Sequence, residues 1–130
     1  MPLKLNEVFA RAGKETLCMV HDKEASIYYV VMNTPYNMID NDFIKKYNDC
    51  LDYIEKSDGP GVMITIGTGP KVFCSGFNLR FWQAKKGNVE SSISGLHKLL
   101  ARILTVGMPS LCILNGKTVA GGVFIALAHD

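Results

Sequence analysis

Apolar residues recur along the chain with two different periods, and the period separates predicted strands from predicted helices. Thr16–His21 and Ser26–Asn33 are rich in apolar, aromatic and β-branched residues, which favours two strands joined by a hairpin turn at the polar sequence DKEA. Gly61–Gly67 (GVMITIG) is apolar almost throughout, as is typical of a strand buried in a parallel sheet, and Ser110–Leu114 predicts another such strand. We therefore expect Ser26–Asn33 to belong both to the hairpin and to a set of three parallel strands.

The remaining apolar segments have the spacing of helices. Asp40 is placed to cap a helix that ends before KSDGPG, and the predicted buried face of that helix consists of Phe43, Ile44, Tyr47, Leu51 and Ile54. A second helix is expected to stop at Gly107-Met108-Pro109, with one apolar stripe made of Ile93, Leu96, Leu100, Ile103 and Leu104. Gly121–Asp130 (GGVFIALAHD) is apolar on nearly every side, which predicts a buried helix. The order β-β-α-β-α-β-α indicates an α/β fold with right-handed helical crossovers between parallel strands.

Composition narrows the class of protein. The 130 residues, 48% hydrophobic and 20% charged, predict one globular domain over residues 1–130. A net charge of +2 is too small to favour nucleic acid or an anionic membrane as a partner, and no apolar segment reaches membrane-spanning length. The first fifteen residues lack the apolar core of a signal peptide. The cysteines lie far apart without a CxxC pair, which favours reduced thiols in an intracellular protein over a zinc site: Cys18, Cys50, Cys74 and Cys112.

Chemistry in parallel sheets is found in the loops after the carboxyl ends of the strands. Two such loops follow the predicted strands, TGPKVFCSGFNL after Gly61–Gly67 and NGKTVAGG after Ser110–Leu114. Neither is a nucleotide-binding loop. A phosphate-binding loop requires a glycine where Leu111 stands, and a dinucleotide fingerprint requires one where Val72 stands.

The two loops share a different pattern. Each places small residues and then a free backbone N–H at a sheet end, at Gly76-Phe77 in one loop and at Ala120-Gly121-Gly122 in the other. Gly121 is expected to open the last helix, where N–H groups are unpaired. Two N–H groups that converge on one point form an oxyanion hole, which stabilises an enolate or a tetrahedral oxyanion.

Three segments in this order resemble a known family. The family is the crotonase superfamily, also called the enoyl-CoA hydratase/isomerase family. The segment KVFCSGFNL is similar to a loop of that family, and TPYNMIDNDFIKKYNDCLDYIEKSD is similar to its turn and first long helix. The segment MPSLCILNGKTVAGGVFIALAHD is similar to the strand and the glycine-rich helix start of the family. The resemblance covers the front half of that family's core. The phenylalanine after the loop glycine and the HD that closes the helix are most like plant-type peroxisomal Δ3,Δ2-enoyl-CoA isomerases.

The resemblance implies a site for an acyl-CoA. By position, the N–H groups of Phe77 and Gly121 hold the thioester oxygen, and Lys71 and Arg80 are candidates for the CoA phosphates. The residues implied to lie against the acyl-CoA are Cys74, Ser75, Gly76, Asn78 and Gly122. The family resemblance implies no cofactor, since the CoA is part of the substrate, and it implies a homo-oligomer at full length. It favours the peroxisome as the compartment, with the mitochondrion as the alternative.

One departure from the family affects the predicted reaction. Phe124 stands where the hydratases carry a catalytic Glu, and its ring neither donates nor accepts a proton, which disfavours hydration by a pair of Glu residues. An isomerase needs one carboxylate base, which in the family lies beyond the helix at which this chain stops, so that the chain is expected to be truncated. Three functions stay open: an enoyl-CoA isomerase, a catalytically silent acyl-CoA-binding or assembly subunit, and another reaction of the family such as thioester hydrolysis or hydration.

Several other side chains have competing interpretations. Cys74 is expected to be a small packing residue rather than a nucleophile, because no His or Lys is placed to lower its pKa. His129 at the end of the last helix predicts a cap that compensates the helix dipole, and Asp130 beside it predicts a structural role. Phe81 and Trp82 either line an acyl pocket or pack under the following helix.

Overall fold

The computed structural model describes residues 1–130 and contains five helices and six strands. Their bounds in chain order are α1 Leu5–Ala12, β1 Leu17–Asp22, β2 Ile27–Met32, α2 Asn41–Glu55, β3 Val62–Gly67, β4 Val72–Cys74, α3 Leu79–Ala84, α4 Asn88–Leu104, β5 Ser110–Ile113, β6 Lys117–Thr118 and α5 Gly121–Leu127. The predicted α/β class is confirmed. The sequence prediction omitted α1, β4, α3 and β6, which are short elements that bury few side chains of their own.

The main sheet has four strands in the order β1-β2-β3-β5. Strand β1 is antiparallel to β2, as the hairpin predicts, with Val20 opposite Tyr29. Strands β2, β3 and β5 are parallel, and Ile64 of β3 pairs with Leu111 of β5. The three predicted parallel strands are therefore confirmed in both identity and direction.

Alternate residues of β2 face the two sides of the sheet, and both sides are covered. Val30 and Met32 pack on the side of α2 and α4, whereas Val31 packs on the opposite side against Val8 of α1. Burial on both faces explains why this strand is apolar at successive positions rather than at every second one. None of the five helices combines the length and the apolar character that crossing a bilayer requires.

Helix α2 matches its prediction closely. The Asp40 carboxylate accepts a hydrogen bond from the Phe43 N–H at 2.9 Å, which is the expected N-cap. All five predicted core residues of α2 are buried, and Cys50 joins them. The cap and the apolar periodicity are local features, so the sequence alone was sufficient to locate this helix.

The predicted buried stripe of α4 is partly wrong. Leu104 is 65% exposed, and its predicted place in the core is taken by Leu99. The stripe that faces α2 and the sheet has helical spacings of four, three and four residues and comprises Ser92, Leu96, Leu99 and Ile103. The polar Ser92 was overlooked because its hydroxyl is satisfied inside the fold, where it accepts a hydrogen bond from Trp82 Nε1 at 2.6 Å.

The last strand and the last helix are less buried than predicted. Leu111 of β5 is 51% exposed, and in α5 the side chains of Phe124 and Leu127 are 58% and 72% exposed. Strand β5 is at the edge of the sheet, and α5 buries only one side, through Gly121, Gly122 and Ile125. The prediction of a fully buried helix is therefore wrong for this structure, because no element covers the outer side of α5.

Candidate active site

A small second sheet brings the two predicted loops together. Strand β4 pairs in parallel with β6, and beyond them the Val119 N–H donates to the Cys74 carbonyl at 3.1 Å. On its other side the first loop is held by Ile39, whose N–H donates to the Gly76 carbonyl at 2.8 Å. The Ile39 carbonyl accepts from the Asn78 N–H, also at 2.8 Å. The loop from Ser75 to Asn78 is therefore fixed by backbone hydrogen bonds on both sides.

Glycines allow the two loops to touch through their backbones. Gly76 has a φ of +92°, and a Cβ atom on it would lie 2.9 Å from the Ala120 Cβ and 3.4 Å from the Gly121 nitrogen. A Cβ atom on Gly122 would lie only 2.7 Å from the Cys74 carbonyl oxygen. Contacts this short exclude a side chain at either position without movement of the backbone. The small residues of the two loops are thus required for the approach of one loop to the other.

Two backbone N–H groups at this junction have no acceptor within the protein. At the start of α5 the Gly122 N–H donates to the Val119 carbonyl and the Val123 N–H to the Ala120 carbonyl, both at 3.0 Å, but the Gly121 N–H is left without a partner. The Phe77 N–H is likewise unpaired, although both neighbours take part in the bonds to Ile39 described above. Buried backbone N–H groups are almost always paired, and Gly121 is buried. An unpaired pair on adjacent loops can hold one oxygen anion.

The side chain of Phe77 takes part in packing rather than in holding an oxygen anion. Its ring packs against Trp82 with the ring centroids 4.8 Å apart, and the Trp82 indole in turn donates to Ser92 of α4. Trp82 therefore packs under the following helix, which decides between the two interpretations of this residue. Only the backbone of Phe77 is available at the junction.

Cys74 is a packing residue. Its side chain has no exposed surface, its Sγ donates to the Asn37 carbonyl at 3.2 Å, and its backbone lies against Gly122. Burial raises the pKa of the Cys74 thiol to about 11, so the thiol stays protonated at neutral pH. Its predicted contact with an acyl-CoA could involve only its backbone. Ser75 is also held in place by hydrogen bonds, since its N–H and its Oγ both donate to the Tyr36 carbonyl, at 3.0 and 3.2 Å.

Asn78 joins the first loop to two helices. Its Oδ1 accepts from the Phe81 N–H at 3.2 Å, which caps α3, and its Nδ2 donates to Asp40 Oδ2, also at 3.2 Å. Asp40 is itself the cap of α2. The structure therefore gives Asn78 a positioning role, and its contact with a substrate remains a prediction.

The two predicted phosphate contacts are exposed cations. Lys71 lies just before β4 and Arg80 lies in the first turn of α3, and neither side chain forms an ion pair or a hydrogen bond within the protein. The other cation beside the loops, Lys117 of β6, is exposed as well. All three are free to interact with phosphate groups in solvent.

The sequence reasoning missed two asparagines that hold the site together. Asn37, buried and with a φ of +46°, donates through Nδ2 to the Phe73 carbonyl at 2.9 Å and accepts from the Thr34 N–H at 2.9 Å. Asn115, at the end of β5, donates to the Gly67 carbonyl at 2.6 Å. Asn is among the few residues that tolerate a left-handed backbone, so the sequence Pro-Tyr-Asn was an available signal for the turn at Asn37, but not for its partner.

The carboxylates near the loops are already engaged. Asp40 caps α2 and accepts from Asn78, while Asp130 accepts from the Ser110 N–H at 3.0 Å. Asp130 also follows the carboxyl end of α5, whereas Gly121 opens that helix, and seven helical residues rise about 10 Å. The predicted structural role of Asp130 is consistent with this geometry. A cleft of about 260 Å³ adjoins the first loop through Asn78 and Asp40, but neither Phe77 nor Gly121 lines it.

Comparison with known proteins places this arrangement in a family. The model of the enoyl-CoA hydratase/isomerase family matches residues 22–130. The chain is 26% identical over 111 residues to the Bacillus subtilis (strain 168) protein YngF, which is named among the enoyl-CoA hydratases/isomerases, and the match covers 83% of this chain and 43% of YngF. It is 33% identical over 76 residues to the peroxisomal enoyl-CoA delta isomerase 2 of Arabidopsis thaliana, covering 53% of this chain and 31% of that protein.

A solved structure shows the same fold. The enoyl-CoA hydratase of Bacillus anthracis superposes with a TM-score of 0.81 at 19% identity, and the superposition covers 89% of this chain and 46% of that chain. The chain thus spans about half of the length of the relatives that it matches, or less. Because the family model matches from residue 22 to residue 130, the chain belongs to the enoyl-CoA hydratase/isomerase family.

Proposed function

We propose that the chain is the acyl-CoA-binding part of a Δ3,Δ2-enoyl-CoA isomerase of fatty acid β-oxidation. The observation that carries the proposal is the pair of unpaired N–H groups, on Phe77 and Gly121, at the contact between two loops of a crotonase-type fold. In this role the two groups donate to the oxygen of a CoA thioester. They stabilise that oxygen most strongly when it becomes an enolate oxygen, which is where the negative charge develops.

The reaction has two proton transfers. A carboxylate base removes a proton from C2 of a 3-enoyl-CoA, and the electron pair of the C–H bond is delocalised onto the thioester oxygen. The same base then returns the proton at C4, so that the double bond moves from C3–C4 to C2–C3 without net gain or loss of atoms. Asp40 and Asp130 hold backbone and side-chain groups of the fold, and we therefore assign the base to polypeptide outside these 130 residues.

Exposed cations beside the loops suit the rest of the substrate. Lys71 and Arg80 have no acidic partner in the protein, which supports their assignment to the CoA phosphates. The backbone from Cys74 to Asn78 and the backbone of Gly122 are assigned to the wall against which the acyl-CoA lies. No cofactor is required, because the CoA is part of the substrate. A peroxisomal location is supported by the name of the Arabidopsis relative, and a homo-oligomer at full length belongs to the same proposal.

A second candidate is a catalytically silent acyl-CoA-binding or assembly subunit. It is favoured by Phe124, which stands where the resemblance implies a catalytic Glu and is exposed on α5. The same observation counts against hydration, and the engaged carboxylates count against base-assisted thioester hydrolysis by these residues. Binding without turnover at full length would select the silent subunit.

The test is a pair of substitutions at Gly121 in the full-length protein. Gly121→Pro removes the N–H, and proline is conformationally suited to the first position of a helix. Gly121→Ala keeps the N–H. Both introduce a Cβ atom, which on Gly121 would lie 2.9 Å from the Cδ1 of Ile39, the flexible end of that side chain.

Isomerisation of a 3-enoyl-CoA to the conjugated 2-enoyl-CoA is followed by absorbance, and thermal unfolding is recorded for each variant. We expect Gly121→Pro to lower turnover by roughly 10²–10³ relative to Gly121→Ala, the usual effect of losing one oxyanion-hole donor. Equal turnover in the two variants would refute the assignment of the Gly121 N–H. Calorimetric titration of the wild-type protein with a CoA thioester, combined with its turnover, then separates the two candidates: the isomerase binds the thioester and turns it over, whereas the silent subunit only binds it.

A further inference from the structure

A buried chain of polar side chains links α5 to the centre of the molecule. Thr65 Oγ1 on β3 lies 2.5 Å from the Tyr47 hydroxyl on α2 and 2.7 Å from His129 Nε2, just after α5. Tyr47 and Thr65 have no exposed surface. His129 Nδ1 lies 2.7 Å from the Ile125 carbonyl oxygen. These side chains are separated by up to 82 residues in the sequence and take no part in the site described above.

The distances favour one placement of the hydrogens along these side chains. A carbonyl oxygen only accepts, so His129 Nδ1 carries a hydrogen and donates to Ile125, and in the neutral ring Nε2 is an acceptor. Thr65 Oγ1 lies 2.7 Å from His129 Nε2 and the Tyr47 hydroxyl lies 3.4 Å from it, so Thr65 is assigned as the donor to Nε2 and Tyr47 as the donor to Thr65 Oγ1. With neutral His129 all donors are satisfied. His129 Nδ1 caps a carbonyl at the end of α5, as the sequence predicts, but does so through a hydrogen bond from a neutral ring, and its Nε2 adds a second link to β3.

Protonation of His129 disrupts this order. A hydrogen on Nε2 must then be accepted by Thr65 Oγ1 or by the Tyr47 hydroxyl oxygen. Either the Thr65 or the Tyr47 hydroxyl hydrogen is then left without an acceptor, because these two oxygens contact only each other and His129. An unpaired buried donor is costly, and a positive charge in a largely buried ring adds to the cost.

The groups around His129 compensate for that charge only in part. Burial lowers the pKa of His129, and the adjacent Asp130 opposes this effect without overcoming it. From the other elements His129 faces Tyr47 of α2, Thr65 of β3 and Cys112 of β5. Burial raises the pKa of the Cys112 thiol to about 12 and raises the pKa of Tyr47, so both stay neutral in the range where a histidine titrates.

Helix α5 has few other anchors. It has seven residues, its outer side is exposed, and its start has no side-chain cap. Its inner side holds Gly122 against Cys74 and buries Ile125, and its far end is held by His129 and by the bonds between Asp130 and Ser110. A change at His129 therefore acts on the helix whose first residue is Gly121.

We propose that His129 is a positioning residue that tethers α5 to β3 and α2, sets the direction of the Gly121 N–H, and releases this tether when it is protonated. The proposal rests on the proposed function only for its effect on acyl-CoA. Burial lowers the pKa of His129 from its ordinary value of 6.5, against an opposing effect of the helix carbonyls and Asp130. The tether is therefore complete above the unfolded value of 6.5 and weakens as the pH falls below it.

The first readout uses no ligand. Hydrogen exchange of the full-length protein is measured by mass spectrometry at pH 7.5 and 5.5, corrected for the intrinsic pH dependence of exchange. We expect protection of residues 121–130 to fall by up to about tenfold at pH 5.5, because a released His129 with its ordinary pKa of 6.5 is about ten times more often protonated than neutral at that pH. His129→Gln should remove this dependence, since an amide oxygen can accept from Thr65 but does not titrate.

Two matched controls are available. His97→Gln changes an exposed histidine on α4, and His21→Gln changes one on β1, at the opposite edge of the sheet from β5, so both should retain the wild-type pH dependence. Thr65→Val removes the central hydroxyl at constant shape, and it should lower protection of residues 121–130 at pH 7.5 and abolish the pH dependence. Thr65→Val therefore tests the tether in the same way if His129→Gln does not fold.

The second readout is binding and turnover of a CoA thioester across the same pH range. With the tether released, we expect kcat to fall more than KM rises, because the Gly121 N–H acts most strongly in the transition state, and His129→Gln should lack this decline. Unchanged protection of residues 121–130 between the two pH values in the wild-type protein would overturn the proposal, as would a decline that persists in both His129→Gln and Thr65→Val. Absence of thioester binding at every pH would instead refute the proposed function. The hydrogen-exchange measurement alone would then show whether His129 tethers α5.

Discussion

Helices α2 and α5 both carry apolar side chains, yet they differ in how many of these side chains are buried. The apolar side of α2 is covered by the sheet and by α4, and every residue predicted for it is buried. In α5 the glycines and Ile125 are buried, whereas Val123, Phe124 and Leu127 are exposed. The apolar pattern of a helix shows which surface can be buried, but the neighbouring elements decide whether it is.

The two helices also begin in different ways. Helix α2 starts at a side-chain cap from Asp40, whereas α5 starts at Ala120, which provides none, and leaves the Gly121 N–H unpaired. A capped start contributes to stability, and an uncapped one leaves a donor free. The difference gives α2 a structural role and supports the binding role that is proposed for α5. Four substitutions test this contrast, measured as the free energy of unfolding by chemical denaturation.

The largest effect is expected at the core of α2. Leu51 is almost completely buried, and Leu51→Ala should lower the free energy of unfolding by about 2–5 kcal/mol, since it removes buried apolar surface and leaves a cavity. Tyr53→Ala, on the exposed side of the same helix, is the matched control and should cost less. Equal losses at the two positions would contradict the assignment of the buried face.

A smaller loss is expected where α5 touches the first loop. Gly122→Ala places a Cβ atom against the Cys74 backbone, and overpacking of this kind costs about 1–3 kcal/mol. Gly107→Ala is the control, because a Cβ atom there meets nothing within 4 Å. If Gly122→Ala were as stable as Gly107→Ala, the close approach of the two loops would be wrong.

The cap of α2 should contribute less still. Asp40→Ala removes the acceptor of the Phe43 N–H and should cost about 0.5–2 kcal/mol. Because Asp40 also accepts from Asn78, the substitution should in addition loosen the first loop, which hydrogen exchange of residues 75–81 would reveal. Asp58→Ala, at an exposed position without a side-chain hydrogen bond, should leave both quantities unchanged.

The smallest effect is expected on the outer side of α5. Leu127→Ala should change the free energy of unfolding by less than about 0.5 kcal/mol, as is usual for exposed positions. A loss as large as that of Leu51→Ala in the full-length protein would show that polypeptide outside these 130 residues covers α5. The substitution is therefore measured in both the 130-residue chain and the full-length protein, since a large loss in the full-length protein alone would identify the added polypeptide as the cover of α5.

The extent of successful prediction differs between elements for physical reasons. Strand β3 and helix α2 were located from sequence because their signals, a continuous apolar run and a cap followed by helical spacing, lie within the elements themselves. The stripe of α4 was misassigned at Leu104, since leucines occupy several adjacent positions there and only the contact with α2 selects Leu99. The two N–H groups named by the site prediction have no acceptor in the structure, and their role stays a prediction. The prediction missed Asn37 and Asn115, whose partners are distant in sequence.

The amino-acid sequence by itself determined the α/β class, the hairpin and the parallel strands, the capped start of α2 and the glycines that two loops require, because each depends on residues close together in the chain. Only the tertiary structure decided that β4 pairs with β6, that Gly76 and Gly121 meet, and that Tyr47, Thr65 and His129 form one hydrogen-bonded chain. These contacts join segments separated by 18 to 64 residues, and no local pattern encodes a partner at such a distance. They form because the parallel sheet and its crossovers bring strand ends and helix ends to one place, where unpaired donors and acceptors must find each other in the absence of water.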